Sequence, residues 1–168
     1  MRLAIISDTH LPRGTRALPA ACVEHLRAAD LILHAGDVST FEVLEELRAI
    51  GPPVAAVHGN VDDARVRAAL PAARLVDAAG ARIAMLHDAG PAAGRLGRMQ
   101  ARFAAAGAVA VVFGHSHIPL HERDPATGFQ IFNPGSPTDR RRQPGHTMGL
   151  ADAEAGGKIA FRHVDLGR

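Results

Sequence analysis

Leu3-Ala4-Ile5-Ile6-Ser7-Asp8-Thr9-His10 runs from an apolar segment straight into a carboxylate and an imidazole. A short apolar run of this kind, residues 3–7, reads as a strand buried on both faces, as in parallel sheets. The pattern recurs along the chain. Residues 31–35 are followed by Asp37, 54–57 by Asn60, 83–86 by His87, and 109–113 by His115 and His117. Glycine precedes three of these polar residues, in Gly36-Asp37, Gly59-Asn60 and Gly114-His115. Strands that repeatedly end in Asp, Asn or His predict one rim where polar groups converge, the place where open α/β sheets put their chemistry.

Helical segments are expected between these strands. Pro19 suits the first turn of a helix over 19–29. Ser39-x-x-Glu42 reads as a capping box opening a helix that runs to Ala49, where Gly51-Pro52-Pro53 stops it. A short helix is expected over 64–70 and a longer one over 94–106, with strands at 74–78 and 81–86 joined around Gly80. The last third changes character. Residues 120–123 and 129–132 read as a hairpin, and 147–153 with 159–165 as another. Parallel βαβ units followed by hairpins predict two sheets packed together with helices outside, in one domain.

Composition narrows the class. Apolar content of 47% with 21% charged residues is that of a globular domain and argues against a disordered chain. No apolar stretch approaches the ~18 residues of a membrane-spanning helix. The first strand begins almost at once, which leaves no room for a signal peptide. The single cysteine, Cys22, excludes an internal disulfide, fits a reducing cytoplasm and reads as a buried helical residue. Net charge is only +2, so charge balance points to no particular partner, and Arg140-Arg141-Arg142 reads as a solvated loop.

The polar residues at the strand ends have the chemistry of metal ligands. At an extended strand end, Asp8 and His10 lie two residues apart and point to the same side, within reach of one ion. His115 and His117 share that spacing and that expectation. Asp37 can give an oxygen to each of two ions ~3.5–4 Å apart, Asn60 offers a carbonyl oxygen, and His87 an imidazole. A mixed N/O set without thiolates suits Mn²⁺, Fe, Zn²⁺ or Ni²⁺ rather than Ca²⁺, and argues against a structural zinc site. Other polar residues receive blander readings. His34 is expected to be a hydrogen-bonded core residue and His58 a packing residue, while Asp62 and Asp63 read as solvated turn carboxylates. Arg13 and Arg16 are candidates to contact a substrate phosphate. Asn133 is expected to organise its turn, with Pro134 a candidate for a cis bond.

Taken together, Asp8-x-His10, Gly36-Asp37, Gly59-Asn60, His87 and Gly114-His115-Ser116-His117 resemble the motif series of the calcineurin-like metallophosphoesterases. The compact length is most similar to their small bacterial and archaeal phosphodiesterase branch, and Asn133-Pro134-Gly135-Ser136 looks like that branch's C-terminal signature. The resemblance spans residues 3–136. It implies a four-layer α/β/β/α sandwich of two mixed β-sheets flanked by helices, with a dinuclear site. In that scheme Asp8, His10 and His117 hold one metal, Asn60, His87 and His115 the other, and Asp37 bridges; Asp37, Asn60 and His115 are the implied catalytic residues. Two divalent cations, Mn²⁺ foremost, would lower the pKa of a shared water from ~15.7 toward ~7. The resulting hydroxide is expected to hydrolyse a phosphodiester in line, with the metals and Asn60 stabilising the developing charge. Two positions depart from the pattern. Val61 stands where many members carry a leaving-group-protonating His, and Leu86-His87-Asp88 replaces a glycine-flanked histidine.

Two rivals follow from the same resemblance. A retromer-type scaffold of this fold acts by binding proteins and tolerates lost ligands, whereas all seven positions here hold competent residues. A phosphomonoester, phosphoprotein or nucleic-acid end is the other alternative. With aromatics at 4%, base stacking is poorly supplied, so a small phosphorylated substrate is expected rather than a long nucleic acid. A membrane partner is not expected, and a homo-oligomer is left open.

Overall fold

Strand β1 (Arg2–Ile6) lies at the centre of the first of two five-stranded sheets. The computed structural model describes residues 1–12 and 16–168. In the first sheet β1 pairs in parallel with β2 (Leu31–His34), which pairs in parallel with β3 (Val54–Ala56). On its other side β1 pairs with the closing hairpin, β9 (Thr147–Glu154) and β10 (Lys158–Asp165). The second sheet has the order β4-β5-β6-β8-β7. Its strands are β4 (Ala73–Ala78), β5 (Ala81–Leu86), β6 (Ala110–Val112), β7 (Leu120–Arg123) and β8 (Gln130–Asn133). Here β5, β6 and β8 run parallel while β4 and β7 pair antiparallel at the edges, so both sheets are mixed.

The period-2 alternation of side chains explains why the strand sequences are almost continuously apolar. In β1, Leu3 and Ile5 point between the sheets, where they meet Ile83, Met85, Val112 and Phe132 of the second sheet. Ala4 and Ile6 point the other way, onto α1 (Ala20–Arg27), α2 (Phe41–Arg48) and α3 (Ala64–Ala69) through Cys22, Leu26, Leu44, Leu47 and Val66. The second sheet covers its outer face with Met99 and Leu96 of α4 (Arg95–Phe103), packed on Leu86, Val111 and Phe113. The inner strands of both sheets are therefore buried on both faces, giving the expected α/β/β/α layers. Each fully buried Leu, Ile or Phe contributes roughly 1.5–3 kcal/mol.

Local details differ from the sequence expectation in places with identifiable causes. Ser39 does not cap α2. It is held in a β-bridge with Leu11 at φ 90°, with its N–H on Asp62 Oδ1 at 2.6 Å, and Thr40 takes the N-cap position without a side-chain bond. Helix α3 is capped conventionally, Asp63 Oδ1 accepting the Val66 N–H at 2.8 Å. The cis bond is at Leu11-Pro12 rather than at Pro134. Cys22 is buried in α1 as expected. Among the described residues, no helix is long and apolar enough to cross a membrane.

The fold places the polar rim. Strands β1, β2 and β3 end in parallel, and so do β5 and β6. Asp8, His10, Asp37, Asn60, His87, His115 and His117 all follow the C-terminal ends of these five strands.

Candidate metal centre

The seven candidates converge, but not through extended strand ends. Asp8, His10, Asp37, His115 and His117 all sit at positive φ, between 48° and 70°. Asp and His tolerate this left-handed region better than most residues, yet each such position costs of order 1–3 kcal/mol and persists only when its surroundings over-determine it. At Asp8, His10 and His115, hydrogen bonds do so. Asp8 N–H donates to Gly36 O at 2.9 Å, His10 N–H to Asp37 O at 3.1 Å, and His115 N–H to both Asp8 carboxylate oxygens at 3.0 and 3.1 Å. One consequence corrects the sequence reading. His115 and His117 do not share a side; His117 joins Asp8 and His10, while His115 joins Asn60.

Two donor sets result. In the first, His117 Nε2 lies 3.1 Å from His10 Nε2 and 3.5 Å from Asp8 Oδ1. In the second, Asn60 Oδ1 is 3.0 Å from His115 Nδ1 and 3.1 Å from His87 Nε2. Asp37 Oδ2 stands between them, 3.7 Å from His10 Nε2 and 3.3 Å from His87 Nε2. Asp8, Asp37, His87 and His117 are buried, His10 is half-buried, and Asn60 and His115 are exposed at the mouth.

Backbone carbonyls fix the imidazole tautomers. His87 Nδ1–H donates to Ala35 O at 2.8 Å, and His117 Nδ1–H to Asp139 O at 2.5 Å. Each ring therefore turns its Nε2 inward, toward other acceptors: Asn60 Oδ1 and Asp37 Oδ2 for His87, Asp8 Oδ1 for His117. Once Nε2 is unprotonated its lone pair faces oxygen lone pairs, a repulsion that a cation among them relieves. Such second partners orient metal ligands generally, so the residues fit divalent metal.

Protonation differs across the site, and Asp8 and His87 must each give up a proton to act as ligands. Burial holds His10 and His117 below the ordinary histidine pKa, leaving both neutral and able to ligate. Burial pushes Asp8 up to about 7, although the Ser7 hydroxyl, 2.7 Å from Asp8 Oδ2, opposes it. Burial also works against an ionised Asp37, but bonding to His87 overcomes it and brings that carboxyl down to about 2. For His87, burial disfavours the charged ring, while bonding to Asp37 and the nearby Asp8 outweigh it and raise the pKa.

The three glycines before ligands have a steric explanation. A Cβ on Gly36 would lie 2.6 Å from His87 Nδ1, one on Gly59 2.5 Å from Asp37 N, and one on Gly114 2.7 Å from Asp8 Oδ2. Each missing side chain is space for a ligand carried by another strand.

Several supporting residues have no ligand-like signature in the sequence. Ser136 Oγ–H holds Asp8 O at 2.8 Å, and Thr138 Oγ1–H holds Thr9 O at 2.5 Å. Asn133 does organise its turn: it donates to Gly114 O at 2.8 Å and accepts the Gly135 N–H at 2.9 Å. His34 is fully buried against Thr9 Oγ1 at 3.1 Å, and burial lowers its pKa to about 3, as befits a core histidine. His58 is half-buried beside Gly59. Asp62 is not a solvated turn carboxylate. It is 4% exposed and accepts the N–H groups of Ser39 and Gly59 at 2.6 and 2.7 Å. Val61 contributes only its backbone, whose N–H meets Asp37 Oδ1 at 3.1 Å. Arg16 pairs with Asp139 at 3.5 Å, and Arg13 lies outside the described residues.

The calcineurin-like phosphoesterase superfamily domain model matches residues 1–156. The chain belongs to this superfamily. A probable metallophosphoesterase of Methanothermobacter thermautotrophicus is 32% identical over 138 residues, 82% of this chain and 78% of the relative. Among solved structures, zinc-complexed wild-type Vps29 from Entamoeba histolytica matches with a TM-score of 0.76 at 19% identity, covering 99% of this chain and 100% of its own. A structure described as a novel archaeal phosphodiesterase matches with a TM-score of 0.72 at 18% identity, covering 98% and 100%. At these identities the two structures establish the fold alone. The superfamily member described here keeps a competent donor at every expected ligand position.

Proposed function

We propose that this metallophosphoesterase hydrolyses phosphodiesters with two divalent cations, Mn²⁺ foremost. The observation that carries the reading is the pair of inward-facing donor sets sharing Asp37 Oδ2, with Nε2 of His87 and of His117 directed into them by carbonyl-anchored Nδ1–H groups. Asp8, His10 and His117 would hold one ion, Asn60, His87 and His115 the other, and Asp37 both. When bound, such a pair polarises phosphoryl oxygens and brings a shared water's pKa from ~15.7 toward ~7.

The chain's own residues do the rest. The αL turns and carbonyl-anchored imidazoles hold the donors preorganised, which avoids reorganisation as charge develops. Asn60 and His115, exposed at the mouth, are the side chains available to a phosphoryl oxygen. No side chain at position 61 can protonate the leaving group, and Asp62 is committed to two backbone N–H groups. Esters with stable leaving anions are therefore favoured. The substrate is a small phosphorylated molecule, and the lone buried thiol of Cys22 is in keeping with a cytoplasmic setting.

A protein-binding scaffold is the second reading, and likeness to Vps29 in fold is what favours it. A scaffold has no need of a complete donor set, so the intact set favours the enzyme. The test is one purification with two readouts: metal content, then turnover of a chromogenic phosphodiester and the matching monoester with added Mn²⁺. Two ions per chain and faster diester turnover support the proposal. Fewer than one ion and no Mn²⁺-dependent turnover would promote the scaffold, and a monoester preference would displace the diester assignment.

A further inference from the structure

A cavity of about 370 Å³ opens beside Asn60, His87 and His115, sharing these three residues with the second donor set. A phosphoryl group seated on that set has a substituent within reach of this cavity. Ala72 and Leu86 give it apolar lining; Arg67, Arg102 and Asp88 supply charge. Arg67, on α3, donates from Nε to Asp62 O at 2.8 Å and from Nη2 to Asn60 O. Both acceptors are neutral carbonyls, so its charge is retained. Arg102, in the last turn of α4, has its guanidinium 5.2 Å from the Phe103 ring centroid and is exposed. Neither arginine forms an ion pair among the described residues. Asp88 is the one carboxylate of the lining, and its Oδ1 accepts the Gly90 N–H at 2.7 Å. The cavity is thus net positive. On the opposite flank Arg16 is already paired with Asp139.

We propose that this cavity receives one ester arm of the substrate, and that the arm carries a second phosphate held by Arg102 and Arg67. The inference rests on the phosphodiesterase reading and names its substrate class. The volume suits a nucleoside-sized arm, since ligand pockets run ~300–1,000 Å³. Guanidinium groups match phosphate oxygens in a fork geometry that a point charge lacks. Because Arg102 is exposed, the preference should shrink as salt screens it.

The test compares the p-nitrophenyl ester of thymidine 5′-phosphate with the same ester carrying a 3′-phosphate, on Mn²⁺-loaded protein. The extra phosphate is expected to raise kcat/KM about tenfold, the scale of one charge-assisted hydrogen-bonded contact. Arg102→Gln should cut that ratio at least to about threefold, Arg102→Glu should abolish it, and Arg27→Gln on the distant α1 should leave it alone. Calorimetric binding of thymidine 3′,5′-bisphosphate against thymidine 5′-phosphate gives a second readout independent of turnover. It should show the same preference and the same dependence on Arg102. Equal binding of the two nucleotides, or a preference that survives Arg102→Glu, overturns the proposal. If neither ester turns over while the Arg102-dependent binding preference persists, the cavity assignment stands and the phosphodiesterase reading fails.

Discussion

Replacing Gly59 with alanine should disable the centre without touching any ligand. The added Cβ would sit 2.5 Å from Asp37 N and 2.8 Å from Asp37 Cγ, with Oδ1 closer still. Real Cβ contacts essentially never fall under 3.0 Å, so the carboxylate or the backbone must give way. The backbone is poorly placed to move: Asp37 is at φ 59°, and its carbonyl accepts the His10 N–H at 3.1 Å. The carboxylate therefore swings, breaking its 3.1 Å bond from Val61 N–H and taking Oδ2 away from its place between His10 and His87. Misplacement by ~1 Å at a reacting centre costs about 10²-fold in rate, and forced overpacking costs about 1–3 kcal/mol of stability. Gly59→Ala should thus lower kcat/KM for a chromogenic diester about a hundredfold and weaken Mn²⁺ binding, measured by steady-state kinetics and calorimetry. Gly97→Ala is the matched control. Gly97 lies inside α4 with nothing within 4 Å of a Cβ, so this change should stabilise the fold by about 0.5–1 kcal/mol and leave turnover alone. Wild-type Mn²⁺ affinity and turnover in Gly59→Ala would refute the steric interlock.

Other outcomes follow from the same geometry. Mn²⁺ affinity should rise with pH, because Asp8 must ionise to ligate and its carboxyl titrates at about 7. At pH 6 about nine-tenths of Asp8 is protonated, so affinity there should be about tenfold below that at pH 8 from this group alone. The raised pKa of His87 acts in the same direction, whereas His10 and His117, held low, add little over that range. Calorimetry across this range checks the point, and a flat profile would contradict it. Missing proton donation at Val61 predicts a steep leaving-group dependence. Alkyl diesters should react about 10²–10⁴-fold more slowly relative to p-nitrophenyl diesters than they would with a general acid present, and Val61→His should narrow the gap. A shallow rate dependence on leaving-group pKa in the unaltered protein would point to an acid elsewhere.

The donor residues were legible in the sequence because each follows a strand buried on both faces, and parallel strands deliver their C-terminal ends to one rim. Leu3, Ile5, Ile83 and Met85 alternate with Ala4, Ile6, Ala84 and Leu86 to cover both faces, and that alternation betrays the layers. What stayed hidden depends on long-range partners. The positive φ of Asp8, His10 and His115 goes with bonds to Gly36, Asp37 and Asp8 that residue spacing cannot reveal. Spacing therefore put His115 and His117 on one side, when the turn sends them to different sets. Ser39 looked like a cap because local pattern alone offers Glu42, while the structure spends its N–H on Asp62, 23 residues away. The same bond removes Asp62 from solvent. Ser136 and Thr138 reach the first loop from more than a hundred residues downstream, and the Asp139 carbonyl anchors His117. Their partners are backbone carbonyls or a distant ring, so even the Asn133–Ser136 motif does not reveal which groups they hold.

On the proposed mechanism, two ions sharing Asp37 are needed for phosphodiester hydrolysis. Titrating Mn²⁺ into metal-stripped protein, while following bound metal and bis(p-nitrophenyl) phosphate turnover in the same samples, tests this requirement. Turnover is predicted to climb until two ions are bound per chain and then to level off. Full turnover with one ion bound, or none with two, would contradict the account.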